Sequence, residues 1–200
     1  MSIFSIHKII KLIKNGKLLV LLLLIFIASC TIKGDFKGLY SYFRDTQNKR
    51  PDLFITLDSS DTLNLNSAKE NNKIYIINGL QLKKCLRSNN RSIVYFWDLN
   101  CKSKICYPLE LIQAHCKKNN LSLFVVATYY DAEIMSFNYE LDKNILAVDT
   151  KYYKSSLVNK YLTKFLKDID SKLIYEDLNR YLYFERDTFV NDYRSIYDYN

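Results

Sequence analysis

Residues Ile93-Val94-Tyr95-Phe96-Trp97-Asp98-Leu99-Asn100-Cys101 carry an apolar strand, Ile93 to Trp97, toward a cysteine. A second cysteine closes the sequel Lys102-Ser103-Lys104-Ile105-Cys106. The run Ile93 to Trp97 reads as a strand. After it, Ile105, Leu109, Ile112 and Cys116 fall at i, i+4, i+7 and i+11, the spacing of one helix face. Both cysteines therefore lie at a strand-to-helix junction. A helix N-terminus favours a thiolate, because its free N–H groups and dipole attract negative charge. Such a pair suits thiol–disulfide chemistry, and it equally suits a permanent structural disulfide.

Outward from this junction the pattern alternates. Residues 74–77 read as a strand. Leu82, Cys85 and Leu86 form a short helical stripe, and residues 121–130 form a third apolar strand. A helix is expected over 132–141, then a short apolar stretch at 145–148. The strongest helix spans roughly 155–169, where Leu157, Val158, Tyr161, Leu162, Phe165, Leu166 and Ile169 recur at helical spacing. Residues 181–184 and 188–190 flank the polar turn Glu185-Arg186-Asp187, a hairpin, and a brief helix or tail closes the chain. Strand–helix alternation followed by a hairpin predicts an α/β fold with a central mixed sheet and flanking helices.

The N-terminus bears on compartment. Lys8, Lys11, Lys14 and Lys17 precede the apolar run 18–27, and Ile27-Ala28-Ser29-Cys30 follows. This ending resembles the lipobox of bacterial lipoproteins, in which the cysteine receives lipid. Residues 1–29 thus read as a signal peptide, excluded from the fold, and Cys30 as the lipidation site. The alternative is a retained anchor, but the uncharged run 18–32 is shorter than the roughly 20 residues that span a bilayer. Several acyl chains on Cys30 give stable anchoring. Thr31 is not the Asp of the best-known inner-membrane retention signal, and no acidic cluster follows Cys30 as in surface-exported lipoproteins. The expected location is the cell envelope, lipid-anchored at the outer membrane and facing the periplasm, where disulfides persist.

Residues 30–52 read as lipidated cysteine and tether, since they are polar, contain Gly34, Gly38 and Pro51, and lack a sustained period. Residues 53–57 and 63–65 look like short strands around the turn 58–61, a small N-terminal β extension over 53–72. Residues 73–200 form the main domain.

Composition narrows the function classes. The chain has 29 basic and 21 acidic residues, and losing the four signal lysines leaves 25 against 21. This mild, dispersed excess gives no nucleic-acid footprint. With only 4 Gly, no phosphate-cradling loop is present. The only histidine after the signal is His115, so a Ser-His-Asp arrangement could draw on no other. No cofactor is implied. Cys101, Cys106, His115 and Cys116 are all metal-ligand types, but nine to ten helical residues separate the first pair from the second, about 14–15 Å. Zinc needs every ligand about 2.0–2.3 Å from one ion, so no metal site is expected. Cys85 and Cys116 lie on apolar helix stripes and read as small buried hydrophobes.

The element order, with cysteines at the end of the second strand, resembles the thioredoxin fold. Phe96-Trp97-Asp98-Leu99-Asn100-Cys101 is similar to the Phe-Trp-Ala-x-Trp-Cys lead-in of thioredoxin and of TlpA/ResA-type periplasmic thiol–disulfide proteins. Pro108 resembles the helix proline of that group, and the 181–190 hairpin resembles its final hairpin. The resemblance covers about residues 73–190. It implies opposite-face placement of the helices bearing Cys85 and Cys116. It also implies Cys101 as nucleophile and Cys106 as resolving thiol, with Lys102 and Lys104 lowering the Cys101 pKa. The motif is Cys-x4-Cys rather than Cys-x-x-Cys. No proline follows Pro108, and the place of the thioredoxin cis-proline falls near Asn179-Arg180. A trans bond is expected there. Sco-type copper chaperones carry a similar cysteine pair but add a distant histidine, and His115 is in the wrong place. Two functions follow. One is thiol–disulfide exchange on exported protein substrates through Cys101 and Cys106. The other is a non-catalytic lipoprotein with a structural disulfide, binding a partner in an envelope or export system.

Overall fold

Among the described residues seven strands form one mixed sheet in the order β1-β2-β5-β4-β3-β6-β7. The structure is a computed structural model, and it describes residues 38–57 and 73–199. The signal segment, the Ile27-Ala28-Ser29-Cys30 motif, the first residues of the expected tether and the strand expected at 63–65 lie outside the described residues.

The strands are β1 (Phe54–Thr56), β2 (Ile74–Ile77), β3 (Arg91–Trp97), β4 (Ser122–Ala127), β5 (Ile145–Val148), β6 (Tyr181–Glu185) and β7 (Thr188–Tyr193). The helices are α1 (Phe43–Lys49), α2 (Gly79–Arg87), α3 (Leu109–Lys118) and α4 (Val158–Ile169). Strands β1 to β5 pair in parallel, and β6 joins β3 antiparallel before turning into β7. The architecture is therefore mixed α/β.

Burial explains the apolar runs. β2 and β5 are buried at every position, and β3 and β4 at all but their first. Parallel strands covered on both faces lose the polar alternation of half-exposed ones. Side chains still alternate between faces. Val94 and Phe96 join one core cluster with Leu82, Cys85, Leu86, Leu162 and Phe165. Ile93, Tyr95 and Trp97 join the other with Leu109, Ile112 and Cys116. Thus α2 and α4 cover one face and α3 the other. Cys85 and Cys116 are buried, outside the disulfide and in opposite clusters.

Helix α2 starts at a capping box: the Gln81 N–H donates to Asn78 Oδ1, and the Asn78 N–H donates to Gln81 Oε1. Its first residue, Gly79, meets α4 closely. A Cβ built there lies 2.1 Å from the Phe165 carbonyl oxygen. The Gly79 N–H donates to the Tyr153 hydroxyl (2.7 Å), which donates to Asp168 Oδ2 (2.7 Å).

Several expectations need correction. Over 132–141 only a 3-10 turn forms, Ile134–Ser136. Asp131 Oδ1 accepts the N–H groups of Glu133 and Ile134, and the Ser136 hydroxyl donates to the Glu133 carbonyl. Such local side-chain bonds compete with helix formation. The third strand stops at Ala127, opposite Trp97, where its partner β3 ends. The helix after the cysteines begins at Leu109, not at Ile105. Pro108 is its N-cap in extended geometry, so Ile105 and Cys106 remain in the loop.

The tether and the N-terminal β extension also change. Residues 43–49 form α1, and Phe43 is buried edge-on to Tyr130 (5.1 Å) and Phe54 (5.5 Å). The Tyr130 N–H donates to the Ser41 carbonyl and the Ser41 N–H to the Ser156 carbonyl. β1 pairs in parallel with β2, and the expected hairpin partner at 63–65 lies outside the described residues. This segment belongs to the main fold; a single short helix leaves too few turns for a visible period.

Candidate functional site

β3 delivers the chain to the site. Past Trp97 the backbone turns: the Asn100 N–H donates to Asp98 Oδ1 (3.1 Å) and the Cys101 N–H to the Asp98 carbonyl (3.1 Å). A second turn follows, in which the Cys106 N–H donates to the Ser103 carbonyl (3.0 Å). These turns bring Cys101 and Cys106 together as a disulfide, with a Cα–Cα distance of 6.0 Å, inside the usual span of about 4.4–6.8 Å. Both cysteines are half-buried. Ser103 Oγ lies 3.7 Å from Cys101 Sγ and 3.4 Å from Cys106 Sγ.

The opposite wall comes from β6. In its antiparallel register Tyr181 faces Tyr95, and the Phe96 N–H donates to the Arg180 carbonyl (2.9 Å). Arg180 is thereby fixed across from the end of β3. Its Nη1 lies 3.0 Å from Cys106 Sγ, and its Nη2 lies 3.3 Å from Asp98 Oδ2. The side chains of Arg180 and Asp98 are each 34% exposed, so water screens their ion pair. The Asn179–Arg180 bond is trans, as is every peptide bond among the described residues.

Aromatic side chains back this cluster. Tyr175 packs edge-on to Phe96 (5.5 Å). Burial pushes its hydroxyl up to about 12, with the Asp98 carboxylate adding to the rise and the Arg180 guanidinium opposing it. Tyr129 is buried, and its ionisation is likewise raised, first by burial and then by Asp98. Tyr95 and Tyr181 stack at 4.5 Å. Beside Cys106, Tyr107 sits edge-on to Tyr197 (4.9 Å).

The structure thus unites Cys101 and Cys106 and adds three residues that the sequence reading did not place in the site: Arg180, Asp98 and Ser103. Arg180 stands where the resemblance puts the cis-proline, which was the available signal. Lys102 and Lys104 are exposed, and the cation in contact with a sulfur is Arg180, on Cys106. His115 packs its ring on Tyr197 (4.9 Å). Cys116 is buried away from the pair, and its thiol is pushed up to about 12 by burial. Among the described residues no cluster of three or more His, Cys, Asp or Glu could hold a metal, and no helix is long and apolar enough to cross a membrane. A cavity of about 710 Å³, lined in part by Ser41, Arg44, Lys151 and Lys154, does not include the disulfide.

No protein-family model, no curated protein and no solved structure matches this chain.

Proposed function

We propose that this chain is a thioredoxin-like, lipid-anchored envelope protein facing the periplasm that exchanges thiols and disulfides with exported proteins through Cys101 and Cys106. The observation that carries the reading is the half-buried disulfide past the end of a central strand, in contact with a guanidinium. A structural staple has no use for water access or for a cation against its sulfur. An exchanging pair needs both, because exchange proceeds by thiolate attack on an accessible sulfur. The strand–helix alternation and the closing antiparallel hairpin on β3 support the thioredoxin-like assignment. The lipid anchor at Cys30 and the location rest on the sequence motif alone. Cys101 is the sulfur that joins the substrate and Cys106 its partner.

The test is equilibrium titration of the folded protein in glutathione or dithiothreitol buffers, read by thiol alkylation and mass. Exchange requires reduction of the pair at potentials of oxidoreductases, above the roughly −300 mV below which structural disulfides lie. Cys106→Ser should also accumulate mixed disulfides through Cys101 in cells. A pair that resists reduction until the domain unfolds sinks the proposal. That outcome leaves the second reading, a partner-binding lipoprotein with a structural disulfide, which the missing proline at Arg180 favours.

A further inference from the structure

We propose that Arg180 takes up the charge that appears on Cys106 when the disulfide opens, and so makes the pair an acceptor of electrons from protein dithiols. This rests on the exchange reading and adds to it a direction and a residue.

The argument is differential. A disulfide sulfur is a weak hydrogen-bond acceptor, so the guanidinium at 3.0 Å gains little from it. A thiolate at the same place carries full charge, and hydrogen bonds between ionised groups are about twice as strong as neutral ones. Arg180 therefore stabilises the reduced pair more than the oxidised one. Stabilising the reduced form makes a disulfide the stronger oxidant.

The surroundings keep that cation available to Cys106. Asp98, the nearest carboxylate, is already committed. Its Oδ1 accepts the Asn100 N–H, and its Oδ2 lies on Nη2, leaving Nη1 on the sulfur. The Ser103 hydroxyl, 3.4 Å from Cys106 Sγ, offers one more donor. Tyr175 stays neutral far above physiological pH. Lys102 and Lys104 are exposed to water, where their charge is screened. The backbone bond from Phe96 to the Arg180 carbonyl holds the Arg180 main chain beside the end of β3.

The same geometry selects the sulfur that is attacked. The thiol with the lower pKa leaves faster, and Arg180 makes Cys106 that thiol. A substrate thiolate therefore attacks Cys101 Sγ. The Cys101–Cys106 bond breaks, its electron pair leaves with Cys106 Sγ as thiolate beside Arg180, and a substrate–Cys101 disulfide forms. A second substrate thiolate, having lost its proton to water, attacks its neighbour's sulfur in that mixed disulfide. Cys101 departs as thiolate and takes a proton. The substrate has lost two electrons and gained a disulfide; the pair has gained those two electrons.

The experiment compares wild-type protein with Arg180→Met and Arg180→Lys in glutathione buffers, read by alkylation and mass. Arg180→Met should shift the equilibrium at least tenfold toward the disulfide, and Arg180→Lys should recover part of that shift. An Arg180→Met equilibrium within twofold of wild type overturns the proposal. Independently of that variant's folding, Cys101→Ser in a Cys30→Ser background leaves Cys106 as the titrating thiol, since Cys85 and Cys116 are buried. Thiolate absorbance near 240 nm should show Cys106 half-ionised at least one pH unit below the ordinary thiol value of about 8.5. Ionisation at or above the ordinary value overturns the role of Arg180. A wild-type pair that no glutathione ratio reduces in the folded state instead overturns the exchange reading itself.

Discussion

Single atoms decide two places in this chain. At the disulfide, one guanidinium nitrogen 3.0 Å from Cys106 Sγ replaces the proline that the resemblance leads one to expect. A charged donor thus stands where a ring without N–H would stand, and the surface opposite the cysteines becomes polar. At Gly79 the deciding atom is a missing one. The α2 N-terminus approaches α4 so closely that an added methyl would lie 2.1 Å from the Phe165 oxygen and 2.7 Å from Asp168 Cβ. The Phe165 oxygen belongs to the backbone and cannot swing away. Gly79→Ala should therefore destabilise the fold, although alanine favours an isolated helix by up to about 1 kcal/mol. Overpacking of this kind costs about 1–3 kcal/mol, and the shift would also disturb the Gly79–Tyr153–Asp168 chain. Urea melts of wild type and Gly79→Ala measure this. An unchanged or raised midpoint would mean that the two helices separate at little cost.

Among the elements, α4 shows why some of the fold was legible. Its apolar positions recur over three turns, and the observed helix, Val158–Ile169, buries Val158, Tyr161, Leu162, Phe165, Leu166 and Ile169. Phe165 is fully buried and edge-on to Phe96 (6.5 Å) and Tyr153 (6.3 Å). Phe165→Ala should cost about 3–5 kcal/mol; a loss below about 1 kcal/mol in denaturant melts would make α4 peripheral. The strands of the sheet's centre were legible for a related reason, since burial on both faces leaves a run of apolar residues. What escaped was structure without period. Residues 132–141 hold a buried Met135 and Leu141, yet Asp131 and Ser136 draw the backbone into a turn. The α1 segment is shorter than two clear turns. In the site, the cysteines announced themselves by spacing, whereas Arg180 is far from them in sequence and is brought there only by the register of β6 on β3.

At the scale of the whole molecule, the chain is built on tyrosine. It has 17, and Tyr75, Tyr95, Tyr129, Tyr130, Tyr153, Tyr161, Tyr181 and Tyr183 are buried. Burial raises the ionisation of Tyr95, Tyr129, Tyr130, Tyr153, Tyr161, Tyr181 and Tyr183, and pushes Tyr175 up to about 12. Each such phenol is neutral in the folded chain at a pH where the unfolded chain, near its ordinary value of about 10, has lost the proton. The sign follows from linkage: the folded state then binds more protons than the unfolded one, so stability falls as pH rises. The contribution is complete below about pH 10 and is lost as pH climbs through the raised folded values, about 12 for Tyr175. Cys116 acts in the same sense, from an ordinary thiol value near 8.5 up to about 12. Unfolding should therefore be steep and cooperative on the alkaline side. The measurement is a pH titration followed by phenolate absorbance near 295 nm alongside far-ultraviolet circular dichroism. The buried tyrosines should ionise together with loss of secondary structure. If all the tyrosines titrated as one ordinary population with the helices intact, the aromatic core described here would be wrong.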